Sequence, residues 1–276
     1  MYPAPSVILF TSLSGIGFGL LAWLGTGHPA VTYLTAFTFF FLAYGLAVGG
    51  LLASVFHLGN KINAFKAFSQ WRSSWLSREG IMAVASLLVM APYAIGEIFF
   101  GQQWPLFGWL GAAGAVITVF TTSMIYTQMK TVPRWNSPLT PVLFLLYALG
   151  GGALLAGQTG AAMLLLIALG LVQALSWYLG DGAFAAAGHT LETATGLAGL
   201  GRMRLLEPPH SSPNYLMKEM VFVVGRKHVR KLRMISMMLL VLLPVLILLL
   251  APASHVLVGI AVLSHLAGVF VARWLF

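Results

Sequence analysis

Long apolar runs separated by short polar stretches dominate the chain. A run such as "MMLLVLLPVLILLLAP", residues 237–252, is apolar on every face, whereas a helix of a soluble core carries one apolar stripe. About 20 such residues suffice to cross the hydrocarbon layer of a membrane. The pattern predicts an all-α integral membrane protein, a single membrane domain over 1–276 with eight transmembrane helices. The predicted spans are 7–24, 33–58, 80–100, 105–129, 139–157, 160–180, 233–251 and 254–275.

Composition narrows the class of protein further. With 59% hydrophobic and only 8% charged residues, an ordinary soluble domain is excluded. The chain has no cysteine, so it supplies no thiolate to an iron–sulfur cluster, and a partner subunit must hold any such cluster. The first run, 7–24, has no basic residue before it and no clear cleavage site, and we interpret it as a retained helix rather than a signal peptide.

The formal charge of +9 is explained by the orientation of the helices in the membrane rather than by nucleic-acid binding. All 15 lysines and arginines fall in alternate connections or at adjoining helix ends, including Arg273 at the end of the last span. By the positive-inside rule these connections, and both termini, are predicted to be cytoplasmic. The basic connections are 59–78, 130–138 and 181–232, and those without lysine or arginine are 25–32, 101–104, 158–159 and 252–253.

Two further patterns concern organisation. Span two ends in "FHLGN" and span six in "WYLGD", which is consistent with two four-helix halves in tandem. Residues 214–233, "NYLMKEMVFVVGRKHVRKLR", follow a proline-rich turn and predict a basic amphipathic helix at the membrane surface. Such a helix either meets anionic lipid or docks a cytoplasmic protein, and the sequence leaves both interpretations open.

Two ionisable residues stand at the predicted cytoplasmic boundary of adjacent spans. His57 closes the second span and Glu79 opens the third. Ionisable groups at membrane depth are costly unless they pair or face a wet cavity. A histidine that hydrogen-bonds a quinone carbonyl and a carboxylate that exchanges a proton would form a quinone site. The alternative is that both are interfacial, since a helix dipole favours Glu79 in a first turn.

Other polar residues point less clearly to chemistry. Glu97 is expected near the outer end of span three, solvated or hydrogen-bonded at that boundary. His265 lies deeper, in span eight. Two histidines on facing helices could ligate a b-type haem, but the chain lacks repeated intramembrane histidine pairs. We therefore expect His265 to be a hydrogen-bonded residue of the bundle and haem b to be unlikely.

Three segments carry a resemblance to a known family. They are "HLGNKINAFKAFSQWRSSWLSREG", "YTQMKTVPRWNSPLTP" and "TATGLAGLGRMRLLEPPHSSPNYLMKEMVFVVGRKHVRKLR". Together they resemble the DmsC family, the membrane anchors of dimethyl sulfoxide reductase and related molybdenum enzymes. The resemblance implies the NrfD-like eight-helix architecture. It also implies a bound quinone, an iron–sulfur partner subunit and, beyond it, a molybdopterin catalytic subunit.

The resemblance carries residue roles as well. The quinone-site histidine and glutamate of the family would fall on His57 and Glu79. The family pattern "HLGxPxRA" is broken here by Lys61 and Asn63, so no role of its arginine carries over. Further candidates for the quinone pocket are Ser77, Arg78, Trp71 and Tyr126.

The predicted orientation in the membrane distinguishes between two kinds of enzyme that use such anchors. In exported dimethyl sulfoxide reductases the catalytic subunits lie outside the cytoplasm, whereas here the histidine motif lies in basic loops, predicted to be cytoplasmic. This is more similar to sulfite dehydrogenases of the SoeABC kind. We therefore expect a quinone-reducing anchor in the bacterial inner membrane, using ubiquinone or menaquinone, in a heterotrimer with cytoplasmic partners. The alternatives are a quinol-oxidising anchor of the dimethyl sulfoxide reductase type and a secondary transporter.

Overall fold

A computed structural model describes residues 4–56, 61–204, 223–251 and 254–276, and within these ranges the chain is helical without any β-strand. Among the described residues, seven helices are long and apolar enough to cross a membrane, which confirms the all-α membrane class. These seven segments are Pro5–Gly25 (α1), Tyr33–Val55 (α2), Trp75–Phe100 (α3, Trp75–Ile95, with a final π turn), Pro105–Thr127 (α4), Thr159–Ala186 (α6), Val224–Leu250 and His255–Leu275 (α10).

The fifth predicted span is a shorter helix. Leu139–Leu155 (α5) has 17 residues and a length of about 25 Å, slightly less than a typical hydrocarbon layer. Seven spans therefore agree with the prediction by length and composition, and the eighth stays a prediction. The remaining elements are a 3₁₀ segment Lys61–Phe68, a short helix Leu191–Thr195 (α7) and a 3₁₀ turn Ala198–Leu200.

Several helices extend beyond the apolar runs that predicted them. The third begins at Trp75 rather than 80, and the sixth ends at Ala186 rather than 180. The seventh span is built from Val223–Met237 (α8), a π turn and Leu243–Leu250 (α9). The predicted connection 181–232 is thus helical at both of its edges, and where it leaves the membrane stays a prediction. Hydropathy detects only the apolar part of a helix, whereas these ends carry polar and charged residues that lower the mean hydropathy.

The predicted surface helix is only partly described. Residues 205–222 lie outside the described ranges, and from Val223 the chain is helical and continues directly into the apolar run, with a kink at His228. The basic side chains of this helical part are exposed at Arg226, Lys227, Arg230 and Lys231.

The first helix lies at the centre of the bundle and packs against α2, α4, α5 and α10. Glycines allow its close approach to α5. A Cβ placed on Gly19 would lie 1.8 Å from the carbonyl oxygen of Ala148, and one on Gly152 would lie 2.3 Å from the carbonyl carbon of Gly19. Backbone contact of this kind is typical of helix packing in membranes. The hydrophobic effect does not drive helices together in lipid, and small residues allow the close van der Waals packing that does.

Buried apolar residues form two clusters, one on each side of α1. One is built mainly from α1 to α4, and the other from α5, α6, α9 and α10, with Ile16 of α1 joining it. Whether these clusters reflect a tandem duplication stays a prediction.

The predicted basic connections meet at one end of the bundle. The indole Nε1 of Trp135 donates to the carbonyl oxygen of Phe276 at 2.7 Å, and Asp181 accepts from both Arg134 and Arg233 at 2.6–2.8 Å. These contacts join connection 130–138, the end of α6, α8 and the last residue. We call this region, together with residues 65–79, the basic end. Its cytoplasmic location stays a prediction.

Candidate functional site

Glu79 is buried at the basic end of α3. Only 3% of the surface of Glu79 is exposed. Glu79 lies one turn inside the helix, because α3 begins at Trp75. Thr122 of α4 donates its hydroxyl to Glu79 Oε1 at 2.5 Å. Its predicted partner, His57, lies outside the described residues, so the His57–Glu79 pair stays a prediction.

The hydroxyl of Thr122 has two acceptors and only one proton. It lies 2.5 Å from Glu79 Oε1 and 2.9 Å from the carbonyl oxygen of Thr118. If Glu79 is ionised, Thr122 donates to the carboxylate. If Glu79 is protonated, the carboxyl donates to Thr122, which then donates to Thr118. Both protonation states of Glu79 are therefore hydrogen-bonded without any change of the backbone.

Ser77 and Arg78 hold the preceding connection against α3. Ser77 is 2% exposed and donates to the carbonyl oxygen of Ala67. Arg78 donates to the carbonyl oxygens of Trp71 at 2.9 Å and Arg72 at 2.7 Å. The Arg78 guanidinium also stacks 4.3 Å from the ring centroid of Trp75. In this structure both side chains are engaged in positioning the loop.

Trp71 and Tyr126 occupy different surroundings. The residue Trp71 is 54% exposed. Tyr126 is enclosed by three rings, those of Trp135, Phe144 and Phe276, with centroids 5.3–5.5 Å away. Tyr126 lies one turn after Thr122 on α4, and Thr122 is the hydrogen-bond partner of Glu79. The structure therefore brings Tyr126 toward the buried carboxyl and leaves the indole of Trp71 at the surface.

A cavity separates Thr122 from the buried side chain of Arg273. In the sequence analysis, this arginine contributed only to the predicted orientation of the chain in the membrane. Arg273 of α10 is 7% exposed, and its guanidinium carbon lies 3.7 Å from the ring centroid of Phe144 and 4.8 Å from that of Tyr147. Thr122 and Arg273 line the same cavity, together with the start of α1. The only signal in the sequence was a basic residue inside an otherwise apolar last helix.

A second cavity lies on the other side of Arg273. It is lined by Tyr147 and Gln173, which share a hydrogen bond of 2.6 Å, and it extends to Arg134 at the basic end. Each cavity has room for only roughly one or two water molecules. Access of a quinone ring to Glu79 through these two cavities is therefore closed in this structure.

Comparison with known protein families shows which family this helical bundle belongs to. The family described as "DMSO reductase anchor subunit (DmsC)" matches residues 4–276. The chain belongs to the DmsC family.

Curated relatives of this DmsC-family chain are subunits of two kinds of complex. It is 34% identical over 183 residues to a sulfite dehydrogenase subunit of Allochromatium vinosum, covering 58% of the chain and 56% of the relative. It is 30% identical over 155 residues to the anaerobic dimethyl sulfoxide reductase chain YnfH of Escherichia coli, covering 52% and 49%. For another anaerobic dimethyl sulfoxide reductase chain of Escherichia coli the identity is 32% over 146 residues, covering 45% and 46%.

The aligned part of the chain thus spans about half the length of each relative. No solved structure matches the chain. Membership of the DmsC family, together with the apolar helices, makes the chain a multi-pass membrane anchor.

Two other buried ionisable residues of this DmsC-family anchor lie away from Glu79. Glu97 is 1% exposed and accepts the phenol proton of Tyr93 at 2.9 Å, so it is hydrogen-bonded as expected but not solvated. His265 is 1% exposed, and its Nδ1 lies 2.9 Å from the carbonyl oxygen of Leu240. Because a carbonyl only accepts, Nδ1 carries the proton, and Nε2 has no hydrogen-bond partner in the described part of the chain. Among the described residues no group of three or more histidine, aspartate or glutamate side chains is arranged to hold a metal ion.

Proposed function

We propose that the chain is the quinone-reducing membrane subunit of a molybdopterin and iron–sulfur oxidoreductase, with sulfite as the substrate of the catalytic subunit. The assignment to sulfite rests on the relative from a sulfite dehydrogenase and on the predicted cytoplasmic location of the basic connections. Electrons come from a cluster on the iron–sulfur partner, because this chain has no cysteine.

The observation that carries the proposal is the buried carboxyl of Glu79 with its Thr122 partner. Reduction of a quinone to a quinol consumes two electrons and two protons, so the site needs a group that gives up protons and recovers them. A buried carboxyl that is hydrogen-bonded in both protonation states meets this requirement. We assign Glu79 as the proton donor to the quinone oxygen and His57 as the hydrogen-bond donor to its other carbonyl.

The surrounding residues position this pair. Arg78 and Ser77 fix the connection that follows His57 against α3 through backbone carbonyls. Trp71 is an exposed residue of that connection, and Tyr126 follows Thr122 by one turn on α4. We propose that the quinone reaches Glu79 from the side of this connection, since the two internal cavities are too small.

The basic end is the proposed docking surface for the iron–sulfur subunit. It carries exposed basic side chains from connection 65–79 and from α8. A cluster docked there would be close to the quinone, and protons would enter from the same side. Turnover would therefore move little net charge across the membrane.

Glu79→Gln tests the proposal, because glutamine keeps the shape and a hydrogen bond to Thr122 but cannot exchange a proton. In the purified complex we expect quinone reduction by sulfite to fall by about 100-fold, while sulfite oxidation with a soluble dye is retained. His57→Ala is expected to give the same separation of the two activities.

Glu97→Gln is the matched control. Glu97 is on the same helix and equally buried, but it bonds Tyr93 toward the other end. Its quinone reduction should stay near that of the unchanged complex. Normal quinone reduction in Glu79→Gln, or an equal loss in Glu97→Gln, would remove Glu79 from the proposed site.

Quinol oxidation is the second candidate function. It is favoured by the two dimethyl sulfoxide reductase relatives that are 30% and 32% identical. The same carboxyl would then accept protons from the quinol instead of donating them. Assaying the purified complex for sulfite-driven quinone reduction and for quinol-driven dimethyl sulfoxide reduction distinguishes the two directions.

A further inference from the structure

A small cavity with both polar and apolar lining lies where the middle of α1 meets the end of α10. Its polar lining comes from three hydroxyl residues of α1, from Thr122 of α4, and from Tyr147 and Arg273. The one full charge among its lining residues is the guanidinium of Arg273, and none of these residues is a carboxylate. The cavity has room for roughly one water-sized particle.

Two residues that line this cavity each have a buried polar atom with no hydrogen-bond partner among the described residues. The two atoms are Nε of Arg273 and Oγ of Ser12. The neighbouring hydroxyls on α1 bond their own helix: Thr11 donates to the carbonyl oxygen of Val7 at 2.9 Å and Ser14 to that of Phe10 at 2.6 Å. This backbonding is the usual arrangement for a helical serine. Ser12, which is 1% exposed, is therefore the exception in this row.

Aromatic contacts leave the charge of Arg273 only partly compensated. A guanidinium carbon 3.7 Å from the centroid of Phe144 presents its face to that ring. The N–H bonds lie in the guanidinium plane, so stacking does not satisfy them. Within the described part of the chain no carboxylate forms an ion pair with Arg273: Asp181 bonds Arg134 and Arg233. A buried charge without a counter-charge is strongly unfavourable inside a membrane bundle.

We propose that this cavity binds one small monovalent anion of the halide class, held between Nε of Arg273 and Oγ of Ser12. Water would satisfy the two donors but would leave the cation without a counter-charge. A carboxylate or a sulfate is larger than the cavity. The anion neutralises Arg273 where α1, α4, α5 and α10 meet, and so stabilises the contact between the two apolar clusters. The cavity shares Thr122 with the proposed quinone site, but the anion is held by Ser12 and Arg273, and its test does not measure quinone activity.

Thermal unfolding of the full chain in detergent, followed by tryptophan fluorescence, tests the site. We compare sodium chloride with sodium gluconate at equal ionic strength. At a chloride concentration tenfold above its Kd, mass action predicts an upward Tm shift of roughly 3–6 °C. Arg273→Gln should lose the chloride-dependent shift. Ser12→Ala should raise the apparent Kd for chloride roughly tenfold.

Arg72→Gln is the matched control, because Arg72 is an exposed arginine of the basic end and its loss should leave the chloride response unchanged. Bromide soaked into crystals of the unmodified chain gives a readout that does not depend on any variant. An anomalous peak between Ser12 and Arg273 supports the site. Density for a water without bromide signal, or equal Tm values in chloride and gluconate, would overturn it.

Discussion

At the scale of single residues, Thr122 decides whether Glu79 can change its protonation state without losing a partner. Thr122→Val removes the hydroxyl and keeps the shape, so we expect quinone reduction to fall about 10- to 100-fold. Thr122→Ser should restore it. Thr121→Val is the control, since Thr121 is also buried but donates only to Thr118, at 2.8 Å. Equal losses in Thr121→Val and Thr122→Val, measured as the ratio of quinone to dye activity, would contradict the assignment.

The candidate site was predictable from the sequence only in part. Glu79 stood out because a carboxylate is rare at the edge of an apolar run. Thr122 gave no such signal, since threonines are common in membrane helices and only the packing of α3 on α4 brings it to Glu79. From the sequence, Arg273 contributed only to the predicted membrane orientation. Arg273 and Thr122 are far apart in the sequence, so the cavity that both line could not be predicted. Side-chain partners between distant helices are set by packing, which a hydropathy pattern does not encode.

At the scale of helices, the apolar runs predicted which segments are helical, and the errors fell at their ends. Helix α3 begins five residues earlier than predicted, at Trp75 instead of 80. The predicted start failed because Ser77, Arg78 and Glu79 are polar, yet each is satisfied by a backbone or side-chain partner. Polar residues that have hydrogen-bond partners can continue a helix into the membrane boundary. A prediction from hydropathy alone leaves them out of the helix, because they lower the mean hydropathy.

The contact between α1 and α5 depends on glycine, and this makes a prediction for stability. Gly19→Ala places a methyl group against the backbone at Ala148, so the helices must move apart. Overpacking of this kind costs about 1–3 kcal/mol, which lowers Tm by roughly 3–10 °C. Gly45→Ala in α2 is the control, because it has open space around its Cβ position and should keep or raise Tm. Thermal unfolding in detergent measures both, and an unchanged Tm in Gly19→Ala would show that this contact is loose.

At the scale of the whole molecule, the first half of α1 lies beside the end of α10. Ser12, near the start of α1, and Arg273, near the end of α10, line one cavity. An odd number of crossings would place these segments at opposite ends, so this arrangement favours eight crossings. It requires α5 to cross as well, and a helix of 17 residues can do so where the bilayer thins around it or polar side chains reach the interface.

The side of the membrane at which the basic end lies decides where the catalytic partners bind, and the absence of cysteine makes it measurable. Lys130→Cys at the basic end and Gln102→Cys at the opposite end each introduce a single thiol at an exposed position. A membrane-impermeant thiol reagent should label Gln102→Cys in spheroplasts and Lys130→Cys only in inside-out vesicles, because basic connections stay in the cytoplasm. The reverse pattern would place the partners outside the cytoplasm and favour the quinol-oxidising type over the sulfite dehydrogenase type. In that type the quinol passes two electrons to the outer partners and releases its two protons. Labelling both thiols from one side would mean that α4, the helix between these two positions, does not cross the membrane.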